Sequence, residues 1–466
     1  MPKEPTSAKL TSGPIASTLV RLSAPMLVGI LAMMAFNVID TFFVGRLGTI
    51  PLAAMTLTFP VVMVIGTFTL GLGVGAMAVI SQGIGAGDRT RIRRLSTDAL
   101  TLAAACVALL MAVGLTTIEP LFRALGATDA MMPFIKQYMM IWYPGMVFYI
   151  VPIVGNNIIR ATGDTFTPSV VMIVGVVINA VLDPILIFGW GPVPPMGVAG
   201  AAVATVIARG ITLIVALWVL YHREHLLTSP WPGYHTLINS WKTILRIGLP
   251  VAVSNAIIPI AYGIITRIVA GFGPETVAGF GVAHRIESFG LALIYALSTG
   301  ISPFVGQNFG AARFDRIQEG LRFAKRFALT WGALLLATFL LLGKRLPTYF
   351  DNNPFVVQSA SLYLWIVSAS MGLRGVHLIT WTALNVLHRP YDAMFLESLL
   401  AFALWIPLAL LGAHLAQIAG LYCGLSLANI LAGLTAYLWI DRVVTKQQRR
   451  NDTLNDSPPE PPASTH

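Results

Sequence analysis

The sequence predicts an all-α membrane protein in which twelve transmembrane helices form two six-helix lobes related by a parallel internal repeat. Three observations predict it: an apolar, charge-poor composition, twelve stretches long enough to cross a bilayer, and a second half in register with the first. Of 466 residues, 56% are apolar and 11% charged, with a mean hydropathy of +0.75. An ordinary soluble domain carries roughly 25% charged residues. The 42 Gly and 29 Pro follow no G-X-Y period, which excludes collagen. Cys106 and Cys423 both sit in apolar runs, so neither a disulfide framework nor a zinc site can be built. The net charge of +10 lies in short clusters between apolar runs, a topology signal and not a nucleic-acid surface.

The charge-poor stretches run near 18–44, 53–82, 95–117, 134–160, 168–190, 197–221, 244–271, 276–307, 327–343, 357–386, 394–413 and 417–440. Each approaches the roughly 20 residues a helix needs to span hydrocarbon. The first is too long for a signal peptide and is expected to remain as helix 1. Of the thirty Lys and Arg, 21 fall in the terminal segments and even-numbered loops, five in odd-numbered loops, and four (Arg209, Arg267, Arg285, Arg374) within helices. Positive segments stay on the cytoplasmic side, so both termini are expected inside. The arginine clusters at 89–94 and 313–326 read as solvated, topogenic loops.

The repeat has an offset of 225. Arg21 and Pro25 fall on Arg246 and Pro250, Thr41 and Val44 on Thr266 and Val269, Gly75 on Gly300, Gln82 on Gln307, and Gly85 and Ala86 on Gly310 and Ala311. Six helices precede the restart, an even number, so the copies share one orientation about an axis along the membrane normal. The expected organisation is an N-terminal cytoplasmic tail (1–14), a first lobe (15–221), a cytoplasmic linker (222–242), a second lobe (243–441) and a disordered cytoplasmic tail (442–466).

What both lobes share reads as scaffold. Pro25 and Pro250 therefore read first as kinks that remove one helical bond each, with a hinge as the sharper reading. What one lobe alone has reads as chemistry. Asp40 pairs with Ile265, and Asn179 and Asp183 pair with Leu404 and Leu408. A charge at a helix centre costs about 2.5–3.5 kcal/mol to insert, so a fold that accepts aliphatic residues at these positions does not need carboxylates there. Asn179 and Asp183 share a helix face, and Pro184 frees the carbonyl of Ala180 beside them. In the second lobe, Arg267, Arg285 and Glu287 must pair or line water, with Arg267 or Arg374 as partners for Glu287. A structural ion-pair network and a substrate role both account for them, and Tyr143 is a candidate for a cavity wall. No metal-ligand spacing, nucleophile elbow or Walker motif is present.

The stretches NVIDTFFVGRLG (37–48), IIRATGDTFTPS (158–169), INAVLDPILIFG (178–189), GVAGAAVATVIARG (197–210), HRIESF (284–289) and ISPFVGQNFGA (301–311) together resemble the multidrug and toxic compound extrusion (MATE) family over nearly the whole chain, in the branch of the DNA-damage-inducible F proteins. The resemblance implies a multi-pass protein of the bacterial inner membrane whose coupling-cation site lies at Asp40, Asn179, Asp183 and Thr205, with Pro25 where helix 1 bends. It also implies that a second-lobe sodium site is missing, because 254–263 and 370–385 hold no carboxylate. The expected activity is antiport: proton or sodium enters, and an amphipathic, cationic or aromatic drug or metabolite leaves. No cofactor, nucleic acid or metal beyond sodium at the coupling site is expected, the only partners being substrate and bilayer, and the protein is expected to act as a monomer. The alternatives are a flippase for a lipid-linked oligosaccharide or other lipid and, from another class, an intramembrane aspartyl enzyme using Asp40 and Asp183.

Overall fold

The computed structural model describes residues 8–229, 231 and 233–455, with side chains described throughout except at 37–41, 454 and 455. Among these residues there is no strand; one isolated bridge joins Trp190 to Val193. Twelve helical spans follow in order. The first six are α1 (Ile15–Gly45), α2 (Thr49–Ala86), α3 (Arg89–Ala124), α4 (Met132–Ala161), α5 (Phe166–Phe188) and α6 (Val198–Arg223). The second six are α7 (Tyr234–Ala270), α8 (Pro274–Gly310), α9 (Phe314–Leu342), α10 (Pro354–Val386), α11 (390–415) and α12 (418–455). The last two form one helical stretch broken by non-helical backbone at Ala416 and Gln417, where Gln417 takes φ 51°. This hairpin closes on glycine: a Cβ on Gly412 would lie 2.0 Å from the Gly420 carbonyl oxygen.

The helices overrun the apolar stretches that predict them, because a helix ends where its backbone is capped and not where hydrocarbon stops. The Asp88 carboxylate caps the backbone N–H of Arg91 at 2.9 Å and starts α3 well before its apolar run. The same effect corrects two expected boundaries. The second part of the linker expected at 222–242 belongs to α7, which begins at Tyr234. The tail expected to be disordered from 442 continues α12 as helix to Asn455. Tertiary anchors explain that extension: Lys325 donates to both Asp441 oxygens at 2.7 and 2.8 Å, Gln318 to Gln448 at 3.0 Å, and Gln447 to the Leu387 carbonyl at 3.0 Å. Residues 1–7 and 456–466 of the expected tails lie outside the described residues.

The two six-helix halves meet along α1, α2, α7 and α8, with α2 on α7, α1 on α8 and α2 on α8. The meeting obeys the repeat. Gly75 abuts Ile244 and Gly248, and its equivalent Gly300 abuts Leu22 and Ser23; a Cβ on Gly85 or Gly310 would sit 2.0 Å from the carbonyl oxygen of Gln307 or Gln82, respectively. Small residues thus let the backbones touch. Gln82 donates its amide to the Val386 carbonyl, and Gln307 donates to the Ala161 carbonyl at 2.8 Å. Both pairs are 225 apart, so one latch is written twice across the axis. The second half of each latch differs: Gln82 Oε1 meets the His388 imidazole, whereas Gln307 Oε1 accepts from the Leu10 backbone N–H at 3.2 Å. At position 163, the equivalent of His388, stands Gly163, and the Leu10 side chain packs against it.

The arginine clusters are largely exposed, as expected, and some of their members also strap chain segments to this end. Arg93 and Arg94 donate to the Leu227 and Ser229 carbonyls of the segment leading into α7, at 3.0 and 2.7 Å. Arg316 donates to the Gly13 and Ser12 carbonyls of the segment leading into α1, at 3.0 and 3.2 Å. Each half therefore holds the leader of the other half's first helix. All these contacts lie at the end of the bundle from which α1 and α7 start. The two aromatic-lined cavities, one in each half, lie toward the other end.

Candidate functional site

In the first half, α5 and α6 build a buried polar cluster. Asn179 and Asp183 are both fully buried on one face of α5. The Asn179 amide nitrogen donates to Asp183 Oδ1 at 3.2 Å and reaches Thr205 Oγ1 on α6 at 3.4 Å. With its nitrogen so committed, Asn179 presents its oxygen, Oδ1, which is buried and has no hydrogen-bond partner among the described residues. A buried carbonyl oxygen without a donor costs about 1–3 kcal/mol, so this one is open to a cation or a hydrogen-bond donor. The Asp40 side chain lies outside the described residues; its position falls in the last turns of α1, which packs on α5. Pro25 lies in the interior of α1, which stays helical through it.

Thr205 belongs to this cluster and also lines a cavity of about 300 Å³ bounded by α1, α2, α4 and α6. One turn along the same face of α6 stands Arg209, which the sequence shows only as a charge within a helix. Its guanidinium lies 5.4 Å from the Tyr149 ring centre and 5.7 Å from that of Phe36, with Met33 Sδ 4.0 Å from Nη2. No carboxylate among the described residues comes within 4 Å of it. Trp142, Tyr138 and Tyr149 complete the aromatic wall. Tyr143, expected on that wall, is instead 2% exposed and packed against Gly114, because successive helix positions face about 100° apart and Trp142 takes the cavity side.

The second half has its own cavity, of about 490 Å³, into which Glu287 and Arg374 project. The partners expected for Glu287 were Arg267 or Arg374. The structure gives it Tyr363, whose hydroxyl donates at 2.6 Å, and His284 at 3.4 Å, with Arg374 in the same cavity as a more distant counter-charge. Arg267 and Arg285 are exposed, so those two arginines do not join the cavity. Arg285 and Glu287 face different sides of α8, as their spacing of two requires. Behind the cavity His377 and Glu397 face each other at 3.4 Å. Arg374 rests over Trp405, 5.1 Å from the ring centre, and its Nη1 is buried without a partner among the described residues. No group of three or more metal-ligating side chains occurs among the described residues.

Comparison with known proteins places this geometry. The MatE family model matches residues 25–185 and again 250–411, two matches that begin 225 residues apart at Pro25 and Pro250. The FAD transporter of Shewanella oneidensis is 34% identical over 434 residues, covering 93% of this chain and 96% of that protein. The probable multidrug resistance protein YoeA of Bacillus subtilis is 25% identical over 434 residues, covering 91% and 93%. Among solved structures, the Vibrio cholerae MATE transporter VcmN in the bent form superposes with a TM-score of 0.88 at 30% identity, covering 93% of this chain and 97% of that one. The fold is thus the twelve-helix, two-lobe fold of such transporters, and the chain belongs to the MATE family of multi-pass membrane transporters, which are not enzymes.

Proposed function

We propose that this protein is a cation-coupled antiporter of the plasma membrane, that the coupling ion binds in the first lobe at Asp40, Asn179, Asp183 and Thr205, and that the exported compound is a bulky aromatic amphiphile. The observation that carries the reading is the unpartnered Asn179 Oδ1 beside the Asp183 carboxylate and the Thr205 hydroxyl. Hard oxygen donors of this kind suit sodium, and a carboxylate beside an amide suits a proton equally. Thr205 touches both the cluster and the neighbouring cavity, so ion and substrate would compete within one lobe. The positive charge of the terminal segments and even loops supports a cytoplasmic placement of the closed, latched end. Pro25, which leaves the Arg21 carbonyl without its helical donor, is the most pliant point of α1 and would serve as the hinge for release. The protein would act as a monomer.

Flavin adenine dinucleotide, the compound for which the Shewanella relative is named, is the first substrate to assay. In proteoliposomes, an imposed proton or sodium gradient should drive its movement against its own gradient, and collapsing that gradient with an ionophore should stop it. Transport that ignores both gradients would contradict the reading.

A further inference from the structure

We infer that the second-lobe cavity is a binding site for an anionic aromatic compound, a planar ring system carrying a phosphate, carboxylate or imide edge, with Arg374 as the partner of the anion and Trp405 as a stacking wall. The inference rests on the export reading above and adds the site and the charge of the aromatic compound, which that reading leaves open.

The guanidinium is the starting point. Arg374 lies inside a membrane helix, its Nη1 is buried without an acceptor, and no carboxylate comes within 4 Å, all among the described residues. An arginine so placed is costly to bury, and the negative charges nearest it, Glu287 and Glu397, stand beyond direct contact. Its orientation is fixed from below: it lies over the Trp405 ring, and Trp405 is pinned in turn, donating from its indole nitrogen to Asn429 Oδ1 at 3.0 Å while Asn429 donates to Ser370 at 3.1 Å. The cavity's one carboxylate among the described residues, Glu287, is held through Oε2 by Tyr363 and His284. Tyr262 and Phe280 stack at 5.1 Å and 19° in an aromatic column flanked by His284 and Tyr422, and the volume of about 490 Å³ accepts a ligand of several fused rings. Met63 of α2 also lines this cavity, so it opens toward the first lobe.

The first lobe repeats the arrangement with different residues. Arg209 lies against Phe36 and Tyr149 and likewise lacks a carboxylate within 4 Å among the described residues. A cationic drug would face a guanidinium in both cavities. An anionic aromatic would be stabilised in both, by charge-assisted hydrogen bonds and by ring stacking.

The test compares flavin mononucleotide, riboflavin and ethidium binding to the full chain in phosphatidylcholine nanodiscs. The first two differ only in a phosphate, and the third carries a positive ring. Flavin mononucleotide should bind about tenfold or more tightly than riboflavin, the range expected for a hydrogen bond to a charged group, and ethidium most weakly. Arg374→Gln should erase the preference for the phosphate at an unchanged melting temperature, Arg374→Lys should keep part of it, and Trp405→Phe should reduce the quenching of bound flavin. If Arg374→Gln does not fold, the wild-type ratio and its loss on raising salt decide the matter. Equal binding of the two flavins, a preference for ethidium, or an Arg374→Gln variant that still favours the phosphate would each overturn the proposal. Gradient-driven ethidium export by the wild type would sink this site and leave ion coupling standing; phosphate-selective binding without any gradient-driven flux would do the reverse.

Discussion

The two lobes share a scaffold to the residue and diverge in what they bury. At the closed end, Gln82 and Gln307, Gly85 and Gly310, and the carbonyls of Ala161 and Val386 occupy equivalent places and make equivalent contacts. Toward the other end the equivalence fails. The first lobe buries Asn179 and Asp183 where the second has Leu404 and Leu408, and the second sets Glu287 and Arg374 among aromatic rings where the first has Val62 and Tyr149. Closure needs both lobes to contribute alike, because the contacts form across their shared axis. Under the function proposed above, one cation site is enough, so a single lobe suffices to carry it.

The largest expected effect breaks the asymmetric part. Asp183→Asn and Asp40→Asn should each reduce gradient-driven export about a hundredfold, the upper range of a coupling free energy between sites, with normal insertion and melting. Glu397→Gln, which changes a second-lobe carboxylate behind the cavity, should retain export within a factor of about five, the small end of such couplings. Proteoliposome flux under a fixed gradient measures both, and equal losses would remove the distinction between the lobes.

A smaller effect breaks the symmetric part. Gln82→Ala and Gln307→Ala each delete one latch whose net worth is about 0.5–1.5 kcal/mol. Each should shift the balance between closed and open forms by a similar few-fold factor, and the double variant by their product. Distances between spin labels at the ends of α2 and α8 would show it. Unequal single effects would mean that the Leu10 and His388 halves of the latches matter more than the shared glutamines.

The smallest effect sharpens the one place where the latches differ. His388 lies in the loop between α10 and α11, and burial, followed by the nearby cations Arg246 and Arg91, holds its imidazole below the ordinary value of 6.5. The closed form therefore binds a proton less readily than a form in which His388 has moved away from Arg246 and Arg91. Closure should be at full strength above pH 6.5 and weaken as pH falls through 6.5 toward the lowered value. The same label distances, recorded from about pH 8 to about pH 5, should show this in the wild type and a flat profile in His388→Gln.

Much of this was legible before the structure. The offset of 225 identified Gln82 with Gln307 and Gly85 with Gly310, and the absence of carboxylates opposite Asp40 and Asp183 marked the polar cluster that the structure assembles from Asn179, Asp183 and Thr205. Spacing within one helix is local, so Asn179 and Asp183 can be placed on one face from the sequence. Contacts between distant helices are not local: nothing in the sequence pairs Arg374 with Trp405, Glu287 with Tyr363, or Leu10 with Gln307. Arg209 was visible as an intramembrane charge, and its four-residue spacing from Thr205 was the signal that could have tied it to the buried polar cluster. The helical extension to Asn455 escaped because composition alone cannot show that Lys325 and Gln318 wait on α9 to hold it.

A first-lobe cation whose release is linked to substrate binding is tested most directly by adding flavin mononucleotide to purified protein in weakly buffered solution and measuring protons released, with displacement of radiolabelled sodium followed in parallel. The wild type should release one or the other in proportion to substrate bound, and Asp183→Asn should release neither. Release from Asp183→Asn equal to that of the wild type would contradict the assignment of coupling to this lobe.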